Sequence, residues 1–329
     1  MAAAGESRVI AREVLAPEQR DAALRVLAAA SRVDGREAVS EQGRLRLRAA
    51  GAGRAGVVHL LQSIGSAENA ESAAAGYAQL ELPAEATVGR ATAELVVAPE
   101  RRGHGLGRQL LDAVLAETAG SVDIWAHGDH PAARRLAAEY GAELVRELRQ
   151  LRRTTVPGAE PLDEVPLPSG ITLRTFRPGE DDAAWLALNA LAFAHHPEQG
   201  AWTAQDLADR MAEPWFDPAG FFLAVRGDRL VGYHWTKVHP ATEAGPELGE
   251  VYVVGVDPAE QGSGLGRALT AAGLRHLGRD RGLDTVLLYV DADNPAALRV
   301  YERLGFTIHE VDLMYRVPEG KSVAEGSAG

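Results

Sequence analysis

The sequence predicts an α/β fold of two tandem domains, each with a twisted mixed β-sheet flanked by helices. The first observation is an internal repeat, because residues 95–111 (LVVAPERRGHGLGRQLL) align with 254–270 (VGVDPAEQGSGLGRALT) at an offset of 159 residues. A second pair, 129–145 and 293–309, aligns at an offset of 164 residues. Two ordered matches at nearly the same offset indicate a tandem duplication rather than a short solenoid repeat.

Each copy is predicted to start with a strand, a glycine-rich loop and a helix. In the second copy, the apolar and β-branched run at 249–256 predicts the strand, and a proline turn leads into the loop. The helix after the loop has an apolar face, formed in the first copy by Leu106, Leu110, Leu111, Val114 and Leu115. This spacing of apolar residues is typical of a helix that packs against a sheet.

The rest of each copy is predicted to be strand, short helix and strand. In the second copy TVLLYV at 285–290 predicts a buried strand. Asn294 and Pro295 supply an N-cap and a first-turn proline for the helix, and Gly305 is suited to end it as the C′ residue. A last strand is predicted over 306–316.

The domain boundaries are predicted from the segment between the copies. Residues 154–170 contain four prolines and two glycines, a composition that sustains neither a helix nor a central strand. We therefore expect an N-terminal domain at 1–153, a linker at 154–170 and a C-terminal domain at 171–317. Residues 318–329 lack apolar periodicity and are expected to form a disordered tail.

Composition restricts the function. The 329 residues include 46 acidic and 34 basic side chains, so the formal net charge is −12, which argues against nucleic-acid and anionic-membrane partners. The absence of cysteine excludes disulfides, thiolate metal ligands and a cysteine nucleophile. No apolar stretch predicts a transmembrane helix, and the N-terminus lacks the apolar core of a signal peptide. We expect a monomeric cytoplasmic protein with a small-molecule substrate.

The glycine loops predict anion sites. Each loop opens a helix directly after a strand, so the backbone amides at the helix start can approach a pyrophosphate closely. The loop is not a Walker loop, because no Gly-Lys-Ser/Thr follows, and it matches a Rossmann fingerprint poorly. A glycine-rich turn without a ligand is the alternative interpretation.

Both copies resemble the GCN5-related N-acetyltransferase (GNAT) family, whose signature is a Q/R-x-x-G-x-G/A loop after a bulged strand. The signature is present at 102–107 (RGHGLG) and 261–266 (QGSGLG), and the family's N-P-A-A-x-x-x-Y-x-x-x-G-F segment is present at 294–306. The resemblance covers nearly the whole chain and implies that the loop amides hold the pyrophosphate of acetyl-CoA. It also implies that the splayed strand pairs with the pantetheine arm and offers an amide to the thioester oxygen.

The resemblance implies an acetyl-CoA site in each copy. In the second copy the implied contacts are Val254, Gly255, Val256, Gln261, Gly262, Ser263, Gly264, Leu265, Gly266, Arg267, Asn294, Pro295, Ala296, Ala297, Leu298 and Arg299. In the first copy they are Leu95, Val96, Val97, Gly103, His104, Gly105, Leu106, Gly107 and Arg108. Acetyl-CoA is thus expected as a co-substrate, one per domain, and no metal is expected.

Two side chains of the second copy are candidates for acid–base chemistry. Acetyl transfer to an amine needs a base for the ammonium and an acid for the departing thiolate. Glu250, on the strand before the loop, is predicted as the base, and Tyr301, on the last helix, as the acid. At the offsets of the repeat, the first copy has Ala91 and Ala137 in their places. Because alanine exchanges no protons, catalysis is predicted in the C-terminal domain.

Both candidates have plainer interpretations. Tyr301 could be a core aromatic residue of its helix, and Glu250 could be a solvated strand residue. The apolar neighbours of Glu250 favour a functional role, since an unpaired carboxylate among them is costly.

Other segments narrow the substrate by resemblance. Residues 195–203, 234–240 and 248–256 resemble tandem GNAT members that acetylate the cysteinyl amine of cysteinyl-glucosaminyl-inositol, the last step of mycothiol assembly. The resemblance implies that the substrate contacts Glu41, Glu198, Lys237, Glu250 and Tyr289. A polyol with one amine requires such hydrogen-bonding side chains rather than an apolar slot.

Alternatives remain for these residues and for the function. Lys237 could be a surface lysine, Glu41 an exposed helix-start residue and Glu198 a turn residue. His195 and His196 are adjacent and cannot both face one ion from a helix, so no metal site is expected there. The alternative functions are acetylation of another small amine (aminoglycoside, polyamine or peptide N-terminus) and, for the first copy, a non-catalytic acetyl-CoA-binding module.

Overall fold

The computed structural model describes residues 7–48, 56–65, 74–83, 90–118, 121–155, 165–195, 199–241 and 245–319. The chain divides into two compact units, of which unit 1 comprises Met1–Leu148 with Glu310–Gly329 and unit 2 comprises Arg149–His309. Within the described ranges, no helix combines the length and the apolarity needed to cross a membrane. The cytoplasmic location and the monomeric state stay predictions.

Unit 1 is a six-stranded sheet in the order β1-β2-β3-β4-β5-β12 with helices packed on it. Its elements are β1 (Ser7–Arg12), α1 (Pro17–Asp34), α2 (Glu41–Arg48), β2 (Val57–Ile64), β3 (Ala74–Glu81), β4 (Ala91–Val97), α3 (Leu106–Glu117), β5 (Val122–Ala126), α4 (Pro131–Glu139), the first half of β6 (Glu143–Thr154) and most of β12 (Thr307–Val317). The β4–β5 pair is parallel, whereas β5 and β12 are antiparallel.

Unit 2 repeats this plan in the strand order β6-β11-β10-β9-β8-β7. Its elements after β6 are β7 (Ile171–Thr175), α5 (Asp182–Ala192), α6 (Ala204–Met211), β8 (Phe221–Arg226), β9 (Arg229–His239), β10 (Leu248–Val256), α7 (Leu265–Arg275), β11 (Thr285–Asp291) and α8 (Pro295–Arg303). The β10–β11 pair is parallel, as β4–β5 is in unit 1.

The two faces of the unit 2 sheet are covered by different elements. Side chains alternate along a strand, so residues two apart share a face. On one face His234 of β9 contacts the carbonyl of Leu269 on α7. On the other face Trp235 of β9 packs edge-on against Trp185 of α5. Lys237 and His239 follow Trp235 on this second, aromatic face.

The local sequence signals are confirmed. The predicted strands at 249–256, 285–290 and 306–316 correspond to β10, β11 and β12 within one or two residues. The five apolar residues predicted on one face of the first loop helix are all buried in α3. The Asn294 side chain accepts a hydrogen bond from the Ala297 amide at 3.0 Å, and Gly305 has a φ of +79° after α8.

The compact units differ from the predicted domain boundaries. The residues from Glu310 belong to unit 1 because β12 pairs with β5 from Leu313 to Val317. Residues 149–154 belong to unit 2, where Leu151 is buried in the core that β10, β11 and α7 form. A proline-rich linker shows where a domain connection lies, but it does not show which sheet a flanking strand joins. The linker residues 156–164 and the tail residues 320–329 lie outside the described residues.

Candidate active site

The strand that carries Glu250 is bulged and diverges from its parallel neighbour. The pairing of β10 with β9 shifts register between Val251 and Val253, so Tyr252 is the extra residue of a β-bulge. The parallel pairing with β11 covers only 249–251, whereas 253–256 pairs with β9. The predicted cofactor strand Val254–Val256 therefore follows the bulge, where one edge of β10 is available for a ligand.

The glycine loop of unit 2 leads directly from this strand into α7. Gly262 and Gly264 have φ angles of +80° and +89°, which favour glycine over other residues. A Cβ atom on either residue would meet no other heavy atom within 4 Å. Since α7 begins at Leu265, the amides of its first turn face this open space. The loop therefore fits a pyrophosphate such as that of acetyl-CoA.

Glu250 lies in the middle of β10 and is buried, with 6% of its surface exposed. Its partners across the sheet are Lys237 on β9 and Leu287 on β11. The Nε2 atom of His239 lies 2.6 Å from Oε2 of Glu250. The imidazole therefore gives this buried carboxylate the polar partner that burial demands.

Lys237 is buried among aromatic rings. It is 5% exposed, and its ammonium lies 4.6 Å from the ring centroid of Trp215 and 5.0 Å from that of Tyr252. The Tyr252 hydroxyl accepts a hydrogen bond from Arg210 Nε at 2.7 Å. The alternative of a surface lysine is therefore wrong, since cation–π contacts hold the ammonium beside the base strand.

The two predicted site tyrosines have different environments. Tyr301 on α8 packs against Phe306, with ring centroids 5.9 Å apart, and burial raises its pKa to about 12. It is thus protonated at neutral pH, as an acid must be, while its packing also suits a core aromatic residue. Tyr289 on β11 is 43% exposed, and its hydroxyl accepts a hydrogen bond from Gln150 Nε2 at 2.8 Å.

Unit 1 retains the loop geometry. Gly103 and Gly105 have φ angles of +80° and +79°, and a Cβ atom on either would meet nothing within 4 Å. The guanidinium groups near this loop have carboxylate partners, Arg102 with Asp34 at 2.7 Å and Arg108 with Glu139 at 2.6 Å.

The strand register corrects one predicted equivalence between the copies. Glu250 on β10 pairs with Lys237 on β9. The corresponding pair in unit 1 is Thr92 on β4 with Glu81 on β3. The parallel pairs agree, because Thr92 pairs with Asp123 and Glu250 with Leu287, which are separated by the repeat offset of 164 residues. The difference arises because β4 has no bulge residue to match Tyr252. Thr92, rather than the predicted Ala91, therefore occupies the place of Glu250. Ala137 does match Tyr301, since α4 and α8 align end to end.

A partly buried ionic network lies at the end of the β4–β5 pair in unit 1. His127 Nε2 donates to Glu94 Oε1 at 2.9 Å, and His127 Nδ1 lies 3.5 Å from Asp312 Oδ2. The Ser40 amide also donates to Glu94, at 3.0 Å, one residue before α2 begins. Burial alone would lower the pKa of His127, but its hydrogen bonds to Asp312 and Glu94 raise it to about 10. The imidazole is therefore cationic at neutral pH.

The sequence profile of the acetyltransferase (GNAT) family matches this chain twice, at residues 55–142 and 185–306. The chain belongs to the GNAT family. The predicted fold class and the assignment as an acetyl-CoA-dependent N-acetyltransferase are thereby confirmed.

Relatives and solved structures agree with the tandem GNAT layout. The mycothiol acetyltransferase of Streptomyces scabiei is 58% identical over 316 residues, covering 95% of this chain and 96% of that protein. That of Streptomyces coelicolor is 59% identical, covering 92% and 93%. A tandem GNAT protein from the clavulanic acid biosynthesis pathway superposes with a TM-score of 0.71 at 19% identity, covering 96% and 100%, and shows the fold. A GNAT protein from Sphaerobacter thermophilus has a TM-score of 0.63 at 26% identity, covering 94% and 95%.

The structure places the predicted substrate residues of this GNAT chain in both units. Lys237, Glu250 and Tyr289 lie in unit 2, and register and alternation put all three on the aromatic face of its sheet. Glu41, partly buried, is the first residue of α2 in unit 1. Glu198 lies outside the described residues.

Sequence reasoning missed His239 and Tyr252. His239 stands two residues after Lys237, so the alternation of a strand could have placed both beside Glu250. Tyr252 is the bulge residue, and no local signal marks a bulge in an unbroken apolar run. Among the residues that the structure describes, no group of three or more His, Asp or Glu side chains is arranged to hold a metal ion. The expectation of a metal-free reaction stays a prediction.

Proposed function

We propose that this chain transfers the acetyl group of acetyl-CoA to the cysteinyl amine of cysteinyl-glucosaminyl-inositol, giving mycothiol and CoA. The relatives named mycothiol acetyltransferase support this substrate, because they share 58–59% of their residues with the chain over nearly their full length. The structural observation that carries the proposal is the buried carboxylate of Glu250 on the bulged strand, with Lys237 directly across from it.

The aromatic face of unit 2 has the chemistry that a cationic polyol requires. The Glu250 carboxylate attracts the cysteinyl ammonium, while the Lys237 ammonium donates hydrogen bonds to oxygen atoms of the sugar conjugate. Tyr289 is exposed and offers a hydroxyl on the same face. We assign further substrate contacts to Glu41 and Glu198, by resemblance alone.

Glu250 acts as the base in this proposal. Its carboxylate takes a proton from the ammonium, and the neutral amine then attacks the thioester carbon. A new C–N bond forms, and the C–S bond breaks. A backbone amide of 254–256 donates to the thioester oxygen as negative charge develops there.

Tyr301 acts as the acid. Its phenol gives a proton to the departing thiolate. After the attack the nitrogen still carries one proton too many, and this proton restores the phenol, while Glu250 releases its own proton to solvent. The high pKa of Tyr301, which burial raises to about 12, keeps the proton on the phenol until the thiolate forms. Acetyl-CoA supplies the activated acyl group, and the loop at 261–267 with the start of α8 holds its phosphates and pantetheine arm.

Unit 1 is proposed to bind a second acetyl-CoA without catalysis. The loop at 103–108 is open and has the backbone conformation of the unit 2 loop. Thr92 and Ala137, however, stand where Glu250 and Tyr301 would be needed. The loop therefore retains the means to bind an anion, while the acid–base pair is missing.

A substrate panel tests the proposed function. The purified chain is incubated with acetyl-CoA and one of five amines: cysteinyl-glucosaminyl-inositol, cysteine, spermidine, an aminoglycoside or a short peptide. We expect CoA release at least tenfold faster with the first than with any other. Equal rates across the panel, or release only with another amine, would contradict the substrate while leaving the acetyltransferase assignment intact.

A further inference from the structure

We propose that His239 is a positioning residue for the catalytic base, and that its hydrogen bond holds the Glu250 carboxylate in the orientation that accepts the substrate proton. The proposal rests on the role of Glu250 given above. It starts from the 2.6 Å contact between His239 Nε2 and Glu250 Oε2. Among the described contacts, this is the one that ties the buried carboxylate to a side chain reaching solvent.

The hydrogen bond divides the two oxygens of the carboxylate. When the imidazole is neutral, its Nε2–H donates to Oε2 and fixes the plane of the carboxylate. The other oxygen, Oε1, is then oriented to take the proton of the ammonium. A carboxylate without this contact can rotate about its terminal bond, and the geometry needed for proton transfer is populated less.

The two side chains of the pair differ in exposure. The His239 side chain is 34% exposed, whereas that of Glu250 is 8% exposed. Removal of the imidazole therefore takes away the polar partner of a carboxylate that water reaches poorly.

Other polar groups share the face of the sheet on which His239 lies. Lys237 lies two residues earlier on the same face of β9, and Glu250 is the carboxylate across from it. From β11 the same face presents Tyr289 and Asp291, and Glu247 is exposed just before β10. Because these groups also act on the Glu250 carboxylate, the contribution of His239 is tested by changing His239 alone.

Two substitutions separate positioning from packing. His239→Gln keeps an N–H donor near Glu250, whereas His239→Ala removes the donor. We measure kcat and KM at one fixed pH, using acetyl-CoA and the amine that the wild type acetylates. His239→Gln should keep kcat within about threefold of the wild type. His239→Ala should lower kcat at least tenfold and leave the KM for acetyl-CoA within twofold.

His276→Ala is the matched control: His276 Nδ1 lies 3.3 Å from Asp280 in the same unit, so this variant also loses a histidine–carboxylate contact, and its kcat should stay within twofold of the wild type. The proposal is overturned if folded His239→Ala keeps kcat within twofold, or if His239→Gln loses as much activity as His239→Ala. Should His239→Ala fail to fold, His239→Leu, which fills the space without a donor, is measured in its place. The variants are compared on whichever amine the wild type acetylates, so a wrong substrate assignment appears in the wild-type panel and not in this test.

Discussion

The two glycine loops have nearly the same backbone conformation, but the strands that precede them, β4 and β10, differ. Gly103 and Gly262 share a φ of +80°, and Gly105 and Gly264 differ by only ten degrees. The strand of unit 2 carries a bulge and a buried carboxylate, whereas β4 pairs with β3 without a register shift. A loop can therefore keep the same backbone geometry while the place of Glu250 on the preceding strand is taken by Thr92, which is no carboxylate base.

The partners across the sheet show the same divergence. In unit 2, Glu250 faces Lys237, whose ammonium lies against aromatic rings. In unit 1, Thr92 faces Glu81, which forms an ion pair with Arg46 on α2. In unit 1 the carboxylate of this pair is therefore on the other strand, β3, where its ion pair with Arg46 attaches α2. The loops are thus alike in the two copies, while the residues opposite each other on the strands differ between them.

The largest expected effect comes from the base. Glu250→Gln keeps the size of the side chain but removes the proton acceptor, so kcat should fall by roughly 10²–10⁴-fold. Thr92→Val at the matching place in unit 1 should leave kcat within twofold. Both are measured as CoA release at saturating substrates, with thermal unfolding to verify the fold. Similar losses in the two variants would remove the distinction between the copies.

Substitutions in the two glycine loops should affect activity less than the loss of Glu250, and they allow the acetyl-CoA sites of the two units to be compared directly. Gly264→Ala places a Cβ atom at a φ of +89° in the open space in front of α7, where a phosphate would bind. The KM for acetyl-CoA should rise roughly tenfold, since the left-handed backbone is strained and the phosphate loses amide contacts. The catalytic rate at saturation should change less than threefold.

Gly105→Ala makes the same change in the other loop, where the φ is +79° and the surrounding space is equally open. In titration calorimetry the wild type should bind two molecules of acetyl-CoA and this variant one, with the KM of catalysis unchanged. A wild-type stoichiometry of one, or a raised KM in Gly105→Ala, would contradict a separate, non-catalytic acetyl-CoA site in unit 1.

Much of this arrangement could be predicted because it depends on local rules. Positive-φ glycines, an Asn-Pro helix start and an apolar helix face are each encoded within a few residues, and all are found in the structure. Glu250 stood out for a similar reason, since a carboxylate in an apolar strand is costly without a partner.

The features that could not be predicted from the sequence depend on pairing between distant segments. The bulge at Tyr252 adds one residue to β10 and moves the alignment from Ala91 to Thr92, although both strands remain apolar. The joining of β12 to β5 depends on long-range pairing that no linker composition encodes. His239 was overlooked because its role depends on a residue of the neighbouring strand.

The smallest expected effect concerns stability rather than activity, and it comes from the ion network of His127, Glu94 and Asp312 in unit 1. Hydrogen bonds to Asp312 and Glu94 raise the pKa of His127 to about 10, above the ordinary value of 6.5. A histidine whose pKa is raised on folding stabilises the protein fully below its unfolded value, and this contribution is lost as the pH rises through the folded value. The wild-type Tm should therefore decline between about pH 7 and pH 10. The opposing effect of the carboxylates, whose pKa values are lowered despite burial, is confined to acidic pH.

His127→Gln should remove this alkaline decline. At pH 6.5 the variant leaves the buried Glu94 carboxylate without its cation, while Asp312 keeps Arg36 at 3.5 Å. The loss costs about 3 kcal/mol and lowers the Tm by roughly 6–12 °C. Near pH 10 the wild-type imidazole is losing its own charge, so the two melting curves should converge. His59→Gln is the control in the same unit, because burial lowers the pKa of His59 and the alkaline decline should persist in that variant. A constant Tm difference between wild type and His127→Gln from pH 6.5 to pH 10 would mean that packing, and not charge, holds β12 against unit 1.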